Sequence, residues 1–185
     1  MVQFDNMELQ NILKQKYNVH MRFVEVCDAD FICMLRNDPQ LTRFLSSTGS
    51  SLEQQVTWLT KYKEREKNAQ EYYFIFESED SERYGVTRLY EFTEHTFVMG
   101  TWMFINESPQ YLALAAQSAT IEWAFNELPA AYGMFDIRKE NKISRFYNER
   151  FFNPMRIEED ELNYYYVLPK KNWEEAKKRI IKMFQ

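Results

Sequence analysis

The order of elements between Tyr84 and Phe152 constrains this chain more than any other feature. An alternating strand around Gly85 precedes a second, Thr96 to Ile105, with Gly100 inside it. Ser108-Pro109 then opens a long helix that ends near Leu128, a short strand follows from Tyr132 to Ile137, and a last helix carries Asn141 and Tyr147. Strands separated by a few residues pair antiparallel, whereas a helix between two strands calls for a crossover and a parallel neighbour. One sheet must hold both kinds of connection. The expected fold class is mixed α/β (α+β), a mostly antiparallel sheet with helices on both faces.

The flanking segments fit that frame. Residues 1–20 read as an N-terminal extension with a short amphipathic helix, Leu9, Ile12 and Leu13 on one side, and residues 21–185 as a single domain. Met21 to Val26 alternates like a half-buried strand, and Asp28 is placed to cap a helix running to about Arg36 that Pro39 ends. Ser46 to Ser50 is the one loop of small residues. Ser51 and Gln54 form a capping-box pattern before a helix with Val56, Leu59 and Tyr62 inward; Lys61, Lys63, Arg65 and Lys67 read as its solvated face. Strands at 71–77, 84–92 and 96–105 make a meander, linked by the short Ser78–Glu82 and Thr93–His95 stretches. Asn163 to Leu168 is the last strand. Asn172 with Glu175 caps a closing helix that turns Ile180, Ile181 and Phe184 inward.

With 185 residues, 45% apolar and 17% aromatic, the chain can build one core and is not disordered. Its net charge of −5 argues against sequence-independent binding to nucleic acid. Cys27 and Cys33 are too few for a disulfide framework or a four-thiolate zinc site, and both read as buried thiols. His20 and His95 are the only histidines and have no metal-ligand spacing, so no metal is expected. No stretch approaches the ~20 apolar residues that span a bilayer. The start is too polar for a secretory signal, and a cytoplasmic location is expected.

Serine at 108 suits a helix cap, and Pro109 at the first helical position wastes no donor. A helix N-terminus after a strand offers free N–H groups and a positive dipole end, a setting for pyrophosphate that also serves ordinary packing helices. Arg138, Lys139, Lys142 and Arg145 bracket the last helix, as charge for phosphates or as solvated surface.

The strand Gly100-Thr101-Trp102-Met103-Phe104-Ile105, this helix start, and Arg138-Lys139-Glu140-Asn141 leading to Tyr147 and Phe152 together resemble the acetyl-CoA-binding half of the GNAT superfamily of acyltransferases. The resemblance spans roughly Met21 to Leu168. It implies that the strand splays from its neighbour, so that Trp102, Met103, Phe104 and Ile105 offer backbone groups to the pantetheine arm. It places Gln110, Tyr111, Leu112, Ala113 and Leu114 at the phosphate-facing turn. The family usually has Gly-x-Gly or Gly-x-Ala there; Ala113 matches the small final position, while Tyr111 stands in place of the first glycine. Asn141 matches the asparagine that bonds the cofactor arm, and Tyr147 the phenol that protonates the departing CoA thiolate. Its spacing from Asn141 is one residue shorter than usual, and Phe151 replaces the glycine before Phe152. A tyrosine suits the acid's role because it holds its proton at neutral pH.

Related enzymes often place a glutamate two residues before the strand glycine, where this chain has Val98. Glu91, Glu94, His95 and Glu107, near strand ends, are the candidates for a base. The closest likeness is to the branch of ribosomal-protein N-terminal and small-amine acetyltransferases. Within it, Gly85–Tyr90, Gly100–Trp102 and Phe135–Asn141 are similar to members associated with bacterial surface-polysaccharide synthesis. The implied co-substrate is acetyl-CoA, without a metal. The implied acceptor is a primary amine, an amino sugar or its nucleotide-linked form, with Arg43, Ser47 and Thr48 on the acceptor side. A small-molecule amine is the partner expected of a monomer or homodimer, with no nucleic acid and no membrane span. Three other readings stay open: a non-catalytic module that binds CoA or a partner, a structural domain that binds no CoA, and a protein N-terminal acetyltransferase.

Overall fold

Three consecutive strands and a crossover build the centre of the sheet. In the computed structural model, which describes residues 6–45 and 51–184, they are β2 (Tyr72–Glu77), β3 (Arg83–Tyr90) and β4 (Thr96–Phe104). Before them come α1 (Asn6–Tyr17), β1 (His20–Phe23), α2 (Ala29–Asn37), α3 (Pro39–Thr42) and α4 (Leu52–Lys67). After them come α5 (Leu112–Glu127), β5 (Tyr132–Arg138), α6 (Lys142–Phe152), β6 (Met155–Glu159), β7 (Asn163–Pro169) and α7 (Lys170–Ile181). The strand order is β1-β2-β3-β4-β5-β7-β6. Every neighbouring pair is antiparallel except β4 and β5, which the α5 crossover makes parallel. The mixed, mostly antiparallel sheet expected from the order of elements is the sheet observed.

Period-two alternation divides the side chains between two cores. Phe74, Leu89, Phe97, Phe135 and Leu168 face α1, α5 and α7, where Leu13, Tyr17, Phe125 and Trp173 meet them. Val86, Ile75 and Met103 face α2 and α4, against Ile32, Leu35, Leu59 and Tyr62. No β5 or β7 residue belongs to that second core. The sheet is thus covered from β1 to β7 on one face, with the edge strand β6 left exposed, and only over its first half on the other. Ala115, Ala116, Ala119 and Ala124 are fully buried and let α5 lie close to the sheet. Thr120 of α5 meets Thr87 of β3 at 2.7 Å between hydroxyl oxygens.

Several local expectations are corrected by tertiary contacts. Ser51 and Gln54 do form the capping box of α4, but Val56 is exposed while the neighbouring Gln55 is buried. Arg65 leaves the supposedly solvated face to pair with the buried Glu71. Pro39 does follow α2, yet it opens the short α3, capped by Asp38. Cys27 is exposed and Cys33 half-buried. Asn172 does not cap α7, which begins two residues earlier; its amide donates to the Asn153 carbonyl at 2.9 Å. The edge strand β6 adds to the expected strands: Met155-Arg156-Ile157-Glu158 alternates over only four residues, and all five residues of the strand are exposed.

Asp28 precedes α2 but its side chain does not cap it. It accepts from Arg22 at 2.8 and 3.0 Å and from the Glu25 N–H at 2.8 Å. Burial opposes its ionisation, yet these partners and Arg83 hold its carboxyl below the usual range. A carboxyl depressed in the folded state contributes stability that is complete above its unfolded value, ~3.9, and is lost as pH falls through the folded one. Asp28→Asn should therefore melt below the wild type at neutral pH, and the difference should narrow as the pH drops under ~4. A gap that is independent of pH would detach stability from this carboxylate.

Candidate active site

β4 and β5 pair only from Thr96↔Tyr132 to Val98↔Met134. Beyond that point β4 stays with β3, and β5 stays with β7 as far as Arg138↔Asn163. The central strands part, and the edge of β4 from Met99 to Phe104 has no strand partner on that side among the described residues. A bulge bends β4 at the same place: Arg88 pairs Gly100 and Thr87 pairs Trp102, which leaves Thr101 as the extra residue, at φ 29°. Trp102, Met103 and Phe104 continue along the gap. Ile105 lies just past the strand and donates its N–H to the Tyr84 carbonyl at 2.9 Å.

The helix that follows starts later than Ser108-Pro109 suggests. The Ser108 hydroxyl donates to the Ile105 carbonyl at 2.7 Å, the Leu112 N–H closes a turn onto the Pro109 carbonyl at 2.8 Å, and α5 begins at Leu112. Tyr111 is the cap residue, in the right-handed region at φ −86°, so this turn needs no glycine for its backbone. The Tyr111 phenol accepts from the Asn18 amide at 3.4 Å and its ring lies 6.2 Å from Phe184. Ala115 bonds back to Tyr111, while the Ala113 and Leu114 amides, early in the helix, have no backbone partner among the described residues. Gln110 is exposed at the same turn.

Asn141 caps α6, accepting from the Ser144 N–H at 3.0 Å. Two turns on, the Tyr147 ring packs 5.2 Å from Trp102 and 5.1 Å from Phe151. Its hydroxyl is buried and has no hydrogen-bond partner among the described residues. Burial drives the phenol pKa far up, so the group holds its proton at any ordinary pH. α5 and α6 are joined by Gln117, which donates to Asn148 at 2.9 Å, and the other amide atom of Gln117 is buried without a partner. On the outer side of α6 and β7, Lys139, Arg145 and Arg156 stand 5.1, 5.1 and 4.6 Å from the Tyr164 ring. Lys139 is partly neutralised there by Glu159, at 3.2 Å.

On the half-covered face of the sheet, alternation brings Arg88 and Tyr90 of β3, Val98 and Gly100 of β4, and Met134 and Asp136 of β5 to one side. Asp136 lies two residues beyond the last β4–β5 pair, on the lip of the gap, and is exposed. Its charge acts on Tyr90: burial raises that phenol, Arg88 opposes the rise, and Glu91, Asp136 and Glu71 add to it. The alternation of Tyr132 to Ile137 was visible in the sequence and carried the signal for Asp136. What it lacked was the identity of the strand across the gap.

The candidates for a base fall elsewhere. Glu91, Glu94 and His95 are exposed in the turn between β3 and β4, and Glu107 is exposed in the turn after β4. Arg43 is exposed just after α3, with its guanidinium 5.1 Å from the Phe44 ring; Ser47 and Thr48 lie outside the described residues. Among the described residues no three His, Cys, Asp or Glu side chains are grouped to hold a metal ion, and no helix is long and apolar enough to cross a membrane.

The acetyltransferase (GNAT) domain matches residues 18–151. No curated protein matches the sequence. Among solved structures, apo FdhC, a nucleotide-linked sugar GNAT, superposes with a TM-score of 0.82 at 32% identity, over 90% of this chain and 95% of its own. Spermidine N-acetyltransferase from Vibrio cholerae, solved with CoA and spermine, gives 0.70 at 14% identity over 84% and 97% of the two chains. Ribosomal-protein-S5-alanine acetyltransferase from Vibrio fischeri gives 0.70 at 17% over 84% and 94%. The last two share the fold. With the domain covering residues 18–151 and the parted strands at its centre, the chain belongs to the GNAT family of acetyltransferases.

Proposed function

We propose that this protein transfers an acetyl group from acetyl-CoA to the primary amine of an amino sugar, carried on a nucleotide. The observation that carries the catalytic part is the Tyr147 hydroxyl, protonated, buried and unpartnered behind the gap. A buried hydroxyl without a partner is costly, and a ligand atom in the gap would satisfy it. The donor set fits such a ligand: parted β4 backbone groups suit an amide-bearing arm, and the Ala113 and Leu114 amides at the start of α5 suit phosphate. The acceptor part is supported by the likeness to FdhC.

Acetyl-CoA supplies the acetyl group as a thioester. The chain's own groups do the rest. Backbone donors along the edge of β4 polarise the carbonyl, and Tyr147 gives its proton to the departing sulfur. Asp136, on the open face at the lip of the gap, takes the proton that the amine loses. The gap itself holds the two reactants in line.

Acetyl-CoA should raise the melting temperature, because a ligand that binds only the native state stabilises it. In parallel acetylation assays, nucleotide-linked amino sugars should be turned over in preference to N-terminal peptides and free polyamines. No stabilisation at millimolar acetyl-CoA removes the enzyme reading, and a preference for peptides removes the acceptor.

Tyr147→Phe keeps the ring against Trp102 and loses only the donor. Its kcat should fall by ~10²–10⁴-fold with little change in acetyl-CoA affinity. Unchanged turnover would make the phenol a packing group.

For Asp136→Asn, kcat/KM for the acceptor should drop by about 10²-fold at neutral pH while acetyl-CoA binds as before. A variant as active as the wild type would return the base to Glu91 or Glu94.

A further inference from the structure

Glu71, just before β2, is 3% exposed and is held by two arginines at once. Arg65 Nε donates to its Oε2 at 2.6 Å, and Arg88 Nε to its Oε1 at 2.5 Å. Each arginine spends one N–H on Glu71, and their terminal Nη groups make no hydrogen bond among the described residues. Both guanidiniums lie against Trp58, 5.0 and 5.1 Å from its ring, and Arg88 also lies 4.7 Å from the Tyr90 ring. Each cation thus sits over a ring, while its Nη groups are not taken up by any hydrogen bond among the described residues. The Arg65 and Arg88 side chains keep 33% and 26% exposure, so both cations stand at the surface.

One guanidinium suffices to neutralise a buried carboxylate. The second leaves the cluster with a positive charge that Glu71 does not cancel. The cluster keeps one net positive charge, on the open face of the sheet, and Arg88 stands directly across the β3–β4 ladder from Gly100. The geometry points to an anion subsite: Arg65 and Arg88 bind a phosphoryl group of the acceptor, and Glu71 braces both guanidiniums. This rests on the reading that the acceptor lies on this face, and it adds the residues that read its phosphate. Guanidinium edges meet phosphoryl oxygens two at a time, which a lysine cannot do. An open groove of about 350 Å³ on α4, lined by Glu53, Gln54, Thr57, Lys61 and Trp58, adjoins the pair through that shared ring.

Calorimetric titration of inorganic pyrophosphate and of UDP into protein saturated with CoA tests this, because CoA then fills the cofactor's own phosphate site. Both probes should bind, and Arg65→Gln and Arg88→Gln should each weaken them at least about tenfold while CoA affinity is kept. Should either glutamine variant melt early, Arg88→Lys keeps the charge and loses the fork, and it too should weaken both probes. Absence of pyrophosphate and UDP binding to the wild type, or binding that survives both substitutions, overturns the subsite. If CoA itself did not bind, the enzyme reading would fall, and the same titration without CoA would still decide the subsite.

Discussion

Each of the two central strands is claimed by its other neighbour, and this keeps the gap between them open. β5 is paired with β7 over seven residues, Tyr132 to Arg138, whereas it meets β4 over only three. β4 is drawn the other way by β3 and bent by the bulge at Thr101. Gly100 belongs to the same device. A Cβ there would come within 2.4 Å of the Tyr90 ring, so that ring lies over the bend only because residue 100 has no side chain. Backbone groups that a sheet would otherwise consume are left available at the centre of the domain, where a ligand can use them.

The gap organises what surrounds it. α5 follows β4 directly, so the first amides of the helix stand near the same opening. Glycine is dispensable at this turn because no residue in it adopts a left-handed backbone. Tyr111 makes its contacts with Asn18 and Phe184, segments outside the turn itself. The N-terminal and C-terminal ends of the chain thus support the turn by receiving its one bulky side chain. Tyr147 meets the gap through Trp102, the residue just past the bulge.

The two faces of the gap differ in chemistry. Behind it, Tyr147 sits among aromatic rings that keep its proton in place. In front lie a carboxylate, Asp136, and a braced pair of guanidiniums. An acceptor with an amine at one end and a phosphate at the other matches that polarity, since each end meets the opposite charge. Another depression, about 500 Å³ in volume, lies between the ends of α6 and α7 with two acids and two arginines in its lining. It stands apart from these groups and carries no net charge.

What the sequence determined by itself was set by residues within a turn or a strand of one another. The order of elements, the parallel crossover through α5, the capping box at Ser51 and Gln54, and the place of Tyr147 on α6 all follow from period, capping and connection length. Period and capping act over a few residues, and connection length is read along the chain, so none of them needs knowledge of the spatial neighbours. Tertiary structure decided whatever depended on a distant partner. Asp28 turned from its helix to Arg22, Arg65 turned its Nε to Glu71, and α5 began three residues after Pro109, with Ser108 bonded back to Ile105. It also made Asp136 a candidate, since alternation gives the face of a strand but not the strand across from it. A buried charge or an unpaired hydroxyl acquires its chemistry from its surroundings, and those surroundings are assembled only when the sheet closes.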